Sequence, residues 1–244
     1  MHELSRKQFI QAAVAGGLGA TVLLGTADSA SAALRHRVLY SLPQSSIRRF
    51  AWTIDDGTSS DSVRGYLMHA HSNPKIRYTY FVTSGYPAWR QNRSLLHELI
   101  ATGQVQLGNH TRTHPDLRSL SNRGIQRALL DCHKFLEDEF SYNAMPFFRP
   151  PYGFFDSRVL QAAADVGYTV PVMWYGTFNT EQRHLTVTRM LTAINQWVAN
   201  GRIVIDHANN PFLANHFDRA YAAISAKNLA MVRLIDAYPE LAQL

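Results

Sequence analysis

Cysteine is almost absent from this sequence of 244 residues, in which Cys132 is the only one. No intramolecular disulfide can form, so packing, alone or with a bound metal, must hold the fold together. Cys132 lies on an apolar stripe with the three- and four-residue spacing of one helical face. We therefore expect a buried, unreactive thiol there rather than a nucleophile.

Runs of like charge are missing too. The formal net charge is +6 and the isoelectric point is about 9.6, but scattered arginines supply most of the positive charge. This distribution predicts a solvated basic surface and no nucleic-acid site. Repeats, linkers and low-complexity tracts are also lacking, and 46% hydrophobic with 17% charged residues is typical of a globular domain.

One long hydrophobic run is present, at the N-terminus. Arg6 and Lys7 precede an apolar, small-residue segment over residues 9–25, and residues 30–32 (ASA) follow as a cleavage site. This order predicts a signal peptide over residues 1–32. Residues 5–10 (SRKQFI) resemble the twin-arginine export signal, with Lys7 in place of the second arginine. We expect the mature protein, residues 33–244, to be secreted or held in the cell envelope without stable membrane insertion.

From residue 48 onward, short apolar or β-branched runs alternate with segments of helical period. This alternation predicts parallel strands covered by helices. The expected strands are residues 50–54, 77–82, 105–107, 147–148, 168–173 and 202–205. The pattern fits an open doubly wound sheet or a barrel, and about six or seven strand–helix units favour a small, incomplete barrel.

Polar residues that could act together follow the ends of these strands. Asp55 and Asp56 end the first strand, where one carboxylate can ligate a cation while the other stays free as a base. The same Asp-Asp-Gly segment is also typical of a turn. His110 and His114 follow the third strand, within reach of one ion if the segment turns helically. On the residues alone, a metal site and a structural role both remain open.

Two later segments add further candidates. Residues 148–153 (FRPPYG) contain consecutive prolines that stiffen a loop and present Arg149 and the backbone N–H of Tyr152. His207 ends the last expected strand and, taken singly, also fits a structural histidine held by a neighbour.

Together these segments resemble the polysaccharide deacetylases of carbohydrate esterase family four, the NodB-homology domain. Residues 53–57 (TIDDG) are similar to its first motif, T-F-D-D-G, and residues 110–114 (HTRTH) to its second, H-[S/T]-x-x-H. Residues 149–153 (RPPYG) are similar to the third, R-x-P-Y-G, and residues 203–207 (IVIDH) to the fifth. The resemblance covers roughly residues 48–207 and implies an α/β fold, a distorted, incomplete (β/α) barrel of about seven strands.

The resemblance implies a metal centre. Asp56, His110 and His114 would ligate one divalent ion, commonly zinc in this family. Two imidazoles and a carboxylate also suit cobalt or manganese.

It also implies roles for the remaining candidates. Asp55 would act as the catalytic base, held ionised and oriented by Arg149. The backbone N–H of Tyr152 would face the oxyanion, and His207 would protonate the leaving group. Thr111 would steady the loop that carries the two histidines.

The sequence departs from the family at its fourth motif, which usually offers a Trp and aspartates, one of them paired with the catalytic histidine. Here residues 174–180 (WYGTFNT) have Trp174 but no carboxylate. We therefore expect His207 to lack its usual partner, and Asp206 to point to the opposite face of its strand. Trp174 and Tyr175 fit a sugar-stacking wall or core packing equally well. The tail to residue 244 reads as helical, with no closing strand.

The expected protein is a monomeric, metal-dependent hydrolase that removes N-acetyl groups from an N-acetylglucosamine-containing polysaccharide, chitin oligomers or peptidoglycan. The altered fourth segment leaves O-deacetylation of acetylxylan or a similar polysaccharide open, because an alkoxide leaves more readily than an amine anion. A third alternative is a non-catalytic glycan-binding envelope module, against which the intact set of site residues argues.

Overall fold

A computed structural model describes residues 37–182 and 184–241 of the chain. The expected signal segment, residues 1–32, lies outside these residues and stays a prediction that N-terminal sequencing of the exported protein would test. Within the described ranges, no helix is both long and apolar enough to cross a membrane.

A curled sheet of parallel strands forms the centre of the fold. Its strands are β1 (Arg49–Asp56), β2 (Tyr78–Val82), β3 (Val105–Asn109), β4 (Phe147–Phe148), β5 (Val170–Pro171), β6 (Gly176–Thr177), β7 (Ile203–His207) and β8 (Ala230–Met231). Seven of them lie in the order β5-β4-β3-β2-β1-β7-β6, and β8 pairs only with the start of β1. The expected distorted, incomplete barrel of about seven strands is confirmed.

Helices connect the successive strands except β5 and β6, in line with the alternation in the sequence. They are α1 (Ser60–Ser72), α2 (Ala88–Gln91), α3 (Arg93–Ala101), α4 (Asn122–Phe140), α5 (Ser157–Ala164), α6 (Val187–Trp197), α7 (Phe212–Asn215), α8 (Phe217–Ser225) and α9 (Leu234–Ala237). Four of the longer helices begin at side-chain caps, in which an oxygen accepts a backbone N–H of the first turn. These caps are Ser59, Ser121, Asp156 and Thr186. Cys132 is fully buried on α4, as expected.

Alternate residues of β1 face two different cores, because successive side chains of a strand point to opposite faces. Trp52 and Ile54 pack in the larger core beneath the helices. Ala51 belongs to a smaller cluster inside the curl, which includes Phe81 of β2. Asp55 therefore shares the inner face with Ala51, at the end where β1 stops.

The tail beyond residue 207 differs from the helical expectation. β8 interrupts it and pairs in parallel with Arg49 and Phe50, and a two-residue strand is too short to show a readable alternation. The chain then enters α9, where the backbone N–H of Leu234 donates to Thr79 Oγ1 at 3.2 Å. Leu234 itself lies in the cluster inside the curl. The tail thus closes the end of the curl opposite the carboxyl ends of the strands.

We expect Leu234→Ala to lower the free energy of unfolding by roughly 2–5 kcal/mol, because it empties a fully buried site. The matched control is Leu130→Ala on α4, where the side chain is 42% exposed, and its change should stay within about 0.5 kcal/mol. Urea denaturation measures both variants. Equal losses would contradict the packing of the tail inside the curl.

Candidate metal centre and active site

The candidate residues gather at one edge of the sheet, where the carboxyl ends of parallel strands meet. Asp55 and Asp56 are the last residues of β1, and His207 is the last residue of β7. His110 directly follows β3, and Arg149 directly follows β4. Parallel register brings these separate chain segments together, with Asp55 opposite His207 across the β1–β7 pair.

Left-handed backbone conformations concentrate at this edge. The described part contains seven non-glycine residues with positive φ, and four belong to the site. They are Asp56 (72°), Thr111 (68°), His114 (57°) and Tyr152 (60°). Such conformations cost on the order of 1–3 kcal/mol each and persist where the surrounding structure enforces them. The concentration of strain here indicates that the backbone is shaped for function.

Asp56, His110 and His114 bring together a compact set of atoms that could ligate a metal ion. The Oδ1 atom of Asp56 lies 3.5 Å from His110 Nε2 and 3.3 Å from His114 Nε2. One ligand atom from each residue lies within 4.8 Å of the other two. Asp56 Oδ1 is buried and has no hydrogen-bond partner among the described residues. A divalent ion would supply the missing partner, and two imidazoles with one carboxylate are a donor set that zinc accepts.

The hydrogen bond of His110 selects the tautomer that a metal needs. Its Nδ1 lies 2.7 Å from the carbonyl oxygen of Arg149. A carbonyl can only accept, so Nδ1 carries the proton and Nε2 of the neutral ring presents its lone pair to the cluster. This outer contact orients a ligating histidine in the way that stabilises metal sites.

The two histidines reach one point through a loop, and the expected helical turn is wrong. Thr111 and His114 adopt left-handed conformations, which an α-helix does not contain. The hydroxyl of Thr111 accepts the backbone N–H of His114 at 3.1 Å. The side chain of Asn109 in turn accepts the backbone N–H of Thr111 at 2.8 Å. Thr111 thus forms hydrogen bonds within the loop that, by the resemblance, it would steady.

The electrostatics of the cluster favour deprotonated ligands. Burial would raise the pKa of Asp56, but the imidazoles of His110 and His114 and the amide of Asn209 bring it below its usual value. Burial and the neighbouring His110 lower the pKa of His114. Both shifts leave a carboxylate and a neutral imidazole near neutral pH, which are the forms that bind metals.

Asp55 lies beside this cluster and is held from behind by Arg149. The Arg149 Nη1 atom donates to Asp55 Oδ1 at 2.6 Å, and both side chains are almost fully buried. The second oxygen, Asp55 Oδ2, lies 3.5 Å from His110 Nε2. One oxygen of Asp55 is therefore fixed by the guanidinium, while the other faces the metal-binding atoms.

His207 has a carboxylate neighbour that the sequence did not indicate. Glu181 Oε2 lies 3.8 Å from His207 Nδ1 and accepts the hydroxyl of Thr177 at 3.2 Å. His207 Nδ1 is buried and makes no hydrogen bond within the described ranges. Glu181 comes one residue after the segment compared with the fourth motif, so its position along the chain was the available signal. Residues 174–180 themselves provide no carboxylate, and Glu181 is the carboxylate that lies near His207 in their place.

Asp206 points to the opposite face, as strand alternation predicts. Beneath the helices, its carboxylate accepts a hydrogen bond from Trp52 Nε1 at 3.3 Å. It also accepts hydrogen bonds from the hydroxyls of Tyr66 and Thr180. The backbone N–H of His207 donates to Thr180 Oγ1 at 3.0 Å. The buried Asp206 thereby anchors Thr180, the residue before Glu181, against β7.

The loop after β4 brings Tyr152 to the metal-binding side of the site. Tyr152 is 58% exposed, and the centroid of its ring lies 4.4 Å from that of the His114 ring. Trp174 packs against Gly153, where an added Cβ would come within 2.8 Å of the indole. Tyr175 instead lies under the guanidinium of Arg202 at the start of β7, away from the site. Of the two candidate stacking residues, Trp174 alone borders the Tyr152 loop.

Comparison with known proteins agrees with the motifs. Residues 44–171 match the family model for polysaccharide deacetylases. The chain is 24% identical over 199 residues to the peptidoglycan-N-acetylglucosamine deacetylase PgdA of Listeria monocytogenes, a match that covers 81% of this chain and 40% of that protein. The chain spans about half or less of the length of the curated relatives it matches.

Solved structures share the architecture. The chitin deacetylase of the fungal pathogen Colletotrichum lindemuthianum has a TM-score of 0.71 at 17% identity, over 83% of this chain and 91% of that chain. A carbohydrate esterase family 4 pseudoenzyme from Bacillus anthracis has a TM-score of 0.71 at 18% identity, over 84% of this chain and 70% of that chain. At these identities the likeness concerns the fold alone. The family match, together with this fold, shows that the chain belongs to the polysaccharide deacetylase family of carbohydrate esterase family four.

Proposed function

We propose that the protein is a metal-dependent hydrolase that removes N-acetyl groups from an N-acetylglucosamine-containing polysaccharide, such as chitin oligomers or peptidoglycan. One observation carries the proposal. The buried carboxylate of Asp55, fixed by Arg149 on one side, faces the Asp56, His110 and His114 cluster on the other. This arrangement joins a potential general base to a metal site within one polar edge of the barrel.

The chemistry follows from the positions of these side chains. A divalent ion held by Asp56, His110 and His114 would polarise the acetyl carbonyl and lower the pKa of a bound water to about 7. The free oxygen of Asp55 would take the proton of the attacking water, while the hydrogen bond from Arg149 holds that carboxylate in place.

Two further groups complete the proposed reaction. The backbone N–H of Tyr152 would donate to the developing oxyanion, a contact typically worth on the order of a hundredfold or more in rate. His207 would protonate the departing nitrogen, because an amine leaves poorly as an anion. Glu181, 3.8 Å from Nδ1 of His207, would orient the imidazole for this step.

The carboxylate near His207 also bears on the choice between amides and esters. The O-acetyl esterase alternative depended on a catalytic histidine without a carboxylate neighbour. Glu181 supplies such a neighbour, and this supports the more demanding amide substrate. The similarity to a peptidoglycan-N-acetylglucosamine deacetylase supports the same choice.

Acetate release tests the proposal directly. With zinc or cobalt present, we expect acetate from chitin oligomers or peptidoglycan and little from acetylxylan, with loss on chelation and recovery when metal is returned. Asp55→Asn should lower the rate by roughly a hundred- to ten-thousandfold, because it removes the base.

Four outcomes would contradict the mechanism or select an alternative. Undiminished activity after chelation, or a full rate in Asp55→Asn, would contradict the mechanism. Release from acetylxylan alone would select the esterase, and glycan binding without any acetate release would select the non-catalytic module.

Substrates with different leaving groups distinguish a role of Glu181 in leaving-group protonation from a general loss of active-site structure. We expect Glu181→Gln to slow deacetylation of chitin oligomers by roughly tenfold or more, because protonation of the amine limits that substrate. Hydrolysis of 4-nitrophenyl acetate, whose phenolate leaves without protonation, should change little. The matched control is Glu137→Gln, which alters the contact of an exposed glutamate with His133 on α4. Equal loss on both substrates would refute a role in assisting the leaving group.

A further inference from the structure

Asn209 contacts the proposed metal ligand Asp56 from a part of the chain that no motif covers. After β7, the backbone N–H of Ala208 donates to the carbonyl of Asp55 at 3.0 Å, which draws the chain across the end of β1. The Asn209 Nδ2 atom then donates to Asp56 Oδ2 at 2.6 Å.

The orientation of the Asn209 amide is determined by Thr58. Asn209 Oδ1 accepts the backbone N–H of Thr58 at 3.2 Å and its hydroxyl at 3.0 Å. A backbone N–H can only donate, so the amide oxygen must face Thr58 and the NH₂ group must face Asp56. The amide of Asn209 therefore cannot be flipped, and its NH₂ group is the one that donates to Asp56.

This contact makes the two oxygens of Asp56 unequal. Oδ2 is occupied by a neutral donor, whereas the buried Oδ1 has no hydrogen-bond partner in the described part and lies between His110 and His114. The backbone of Asp56 is held separately, by Trp89 Nε1 at 3.1 Å from its carbonyl oxygen. Main chain and carboxylate are thus fixed by different neighbours.

We propose that Asn209 is a positioning residue for the metal ligand. It holds Oδ2 of Asp56 so that the carboxylate binds through Oδ1 alone. A single carboxylate oxygen beside two imidazole nitrogens suits the low coordination number of zinc, whereas two oxygens would suit larger cations that prefer oxygen. The proposal rests on the metal centre of the proposed function, but it concerns binding and not turnover.

Calorimetric titration of the metal-free protein with zinc tests this role without substrate. We expect Asn209→Ala to weaken zinc binding by roughly 10- to 100-fold, the usual effect of losing a group that orients a ligand. Thr58→Val, which keeps the backbone donor and removes the hydroxyl, should weaken it less. Asn210→Ala is the matched control, because that amide donates to the carbonyl of Thr180 and not to Asp56.

The visible absorption of the cobalt-substituted protein gives a second readout. It should change in Asn209→Ala, where the carboxylate is free to turn, and stay the same in Asn210→Ala. Wild-type zinc affinity and an unchanged cobalt spectrum in Asn209→Ala would overturn the proposal. If Asn209→Ala does not fold, unaltered zinc binding by Asn209→Leu, which keeps the side-chain size and removes the donor to Asp56, would overturn it instead.

The outcome is distinguishable from failure of the proposed function. If the wild type binds zinc and Asn209→Ala binds it more weakly, the positioning role stands even where no acetate is released. If the wild type takes up no zinc, both the metal centre and the role of Asn209 are refuted.

Discussion

Arg149 enters the interior of the curled sheet from the end of β4 and crosses to β1, where its guanidinium meets the carboxylate of Asp55 at 2.6 Å. Burying two charges costs several kcal/mol per ion unless they are paired and their remaining hydrogen bonds are made. Arg149 is paired in this way, and Thr53 Oγ1 and the carbonyls of Val172 and Met173 accept three further N–H groups of its guanidinium. Burial lowers the pKa of Arg149, and the charge of Asp55 opposes the shift. One side chain thus ties β1 to the far side of the curl.

The arrangement of Asp56, His110 and His114 depends on the same residue. The carbonyl of Arg149 accepts Nδ1 of His110 and so aims Nε2 at Asp56. Asp56 and His114 are then held in left-handed conformations that an isolated chain would avoid. Strain at the edge of the sheet is sustained by the buried interactions beneath it, which is why the proposed base and ligands can be preorganised.

The sheet and most of the candidate site residues could be predicted from the sequence, because the strands are apolar runs and the motif residues follow their ends. What escaped prediction depends on contacts between distant segments. Asn209 carries no local signal, and the only signal for Glu181 is its position directly after residues 174–180. The pairing of β6 and β7 with their neighbours brings these residues to Asp56 and His207. The loop between His110 and His114 was also predicted wrongly. A four-residue spacing is typical of a helical turn, whereas Thr111 adopts a left-handed backbone conformation.

The central claim is that one divalent ion, held by Asp56, His110 and His114, makes this edge of the barrel a deacetylase site. It is tested most directly by adding zinc stepwise to metal-free protein while acetate release from N-acetylglucosamine oligomers is followed. The account predicts a rate that rises in proportion to zinc, stops rising at one equivalent per chain, and stays near zero throughout in His114→Ala. Full activity in the metal-free protein, or a rate that ignores zinc, would contradict it.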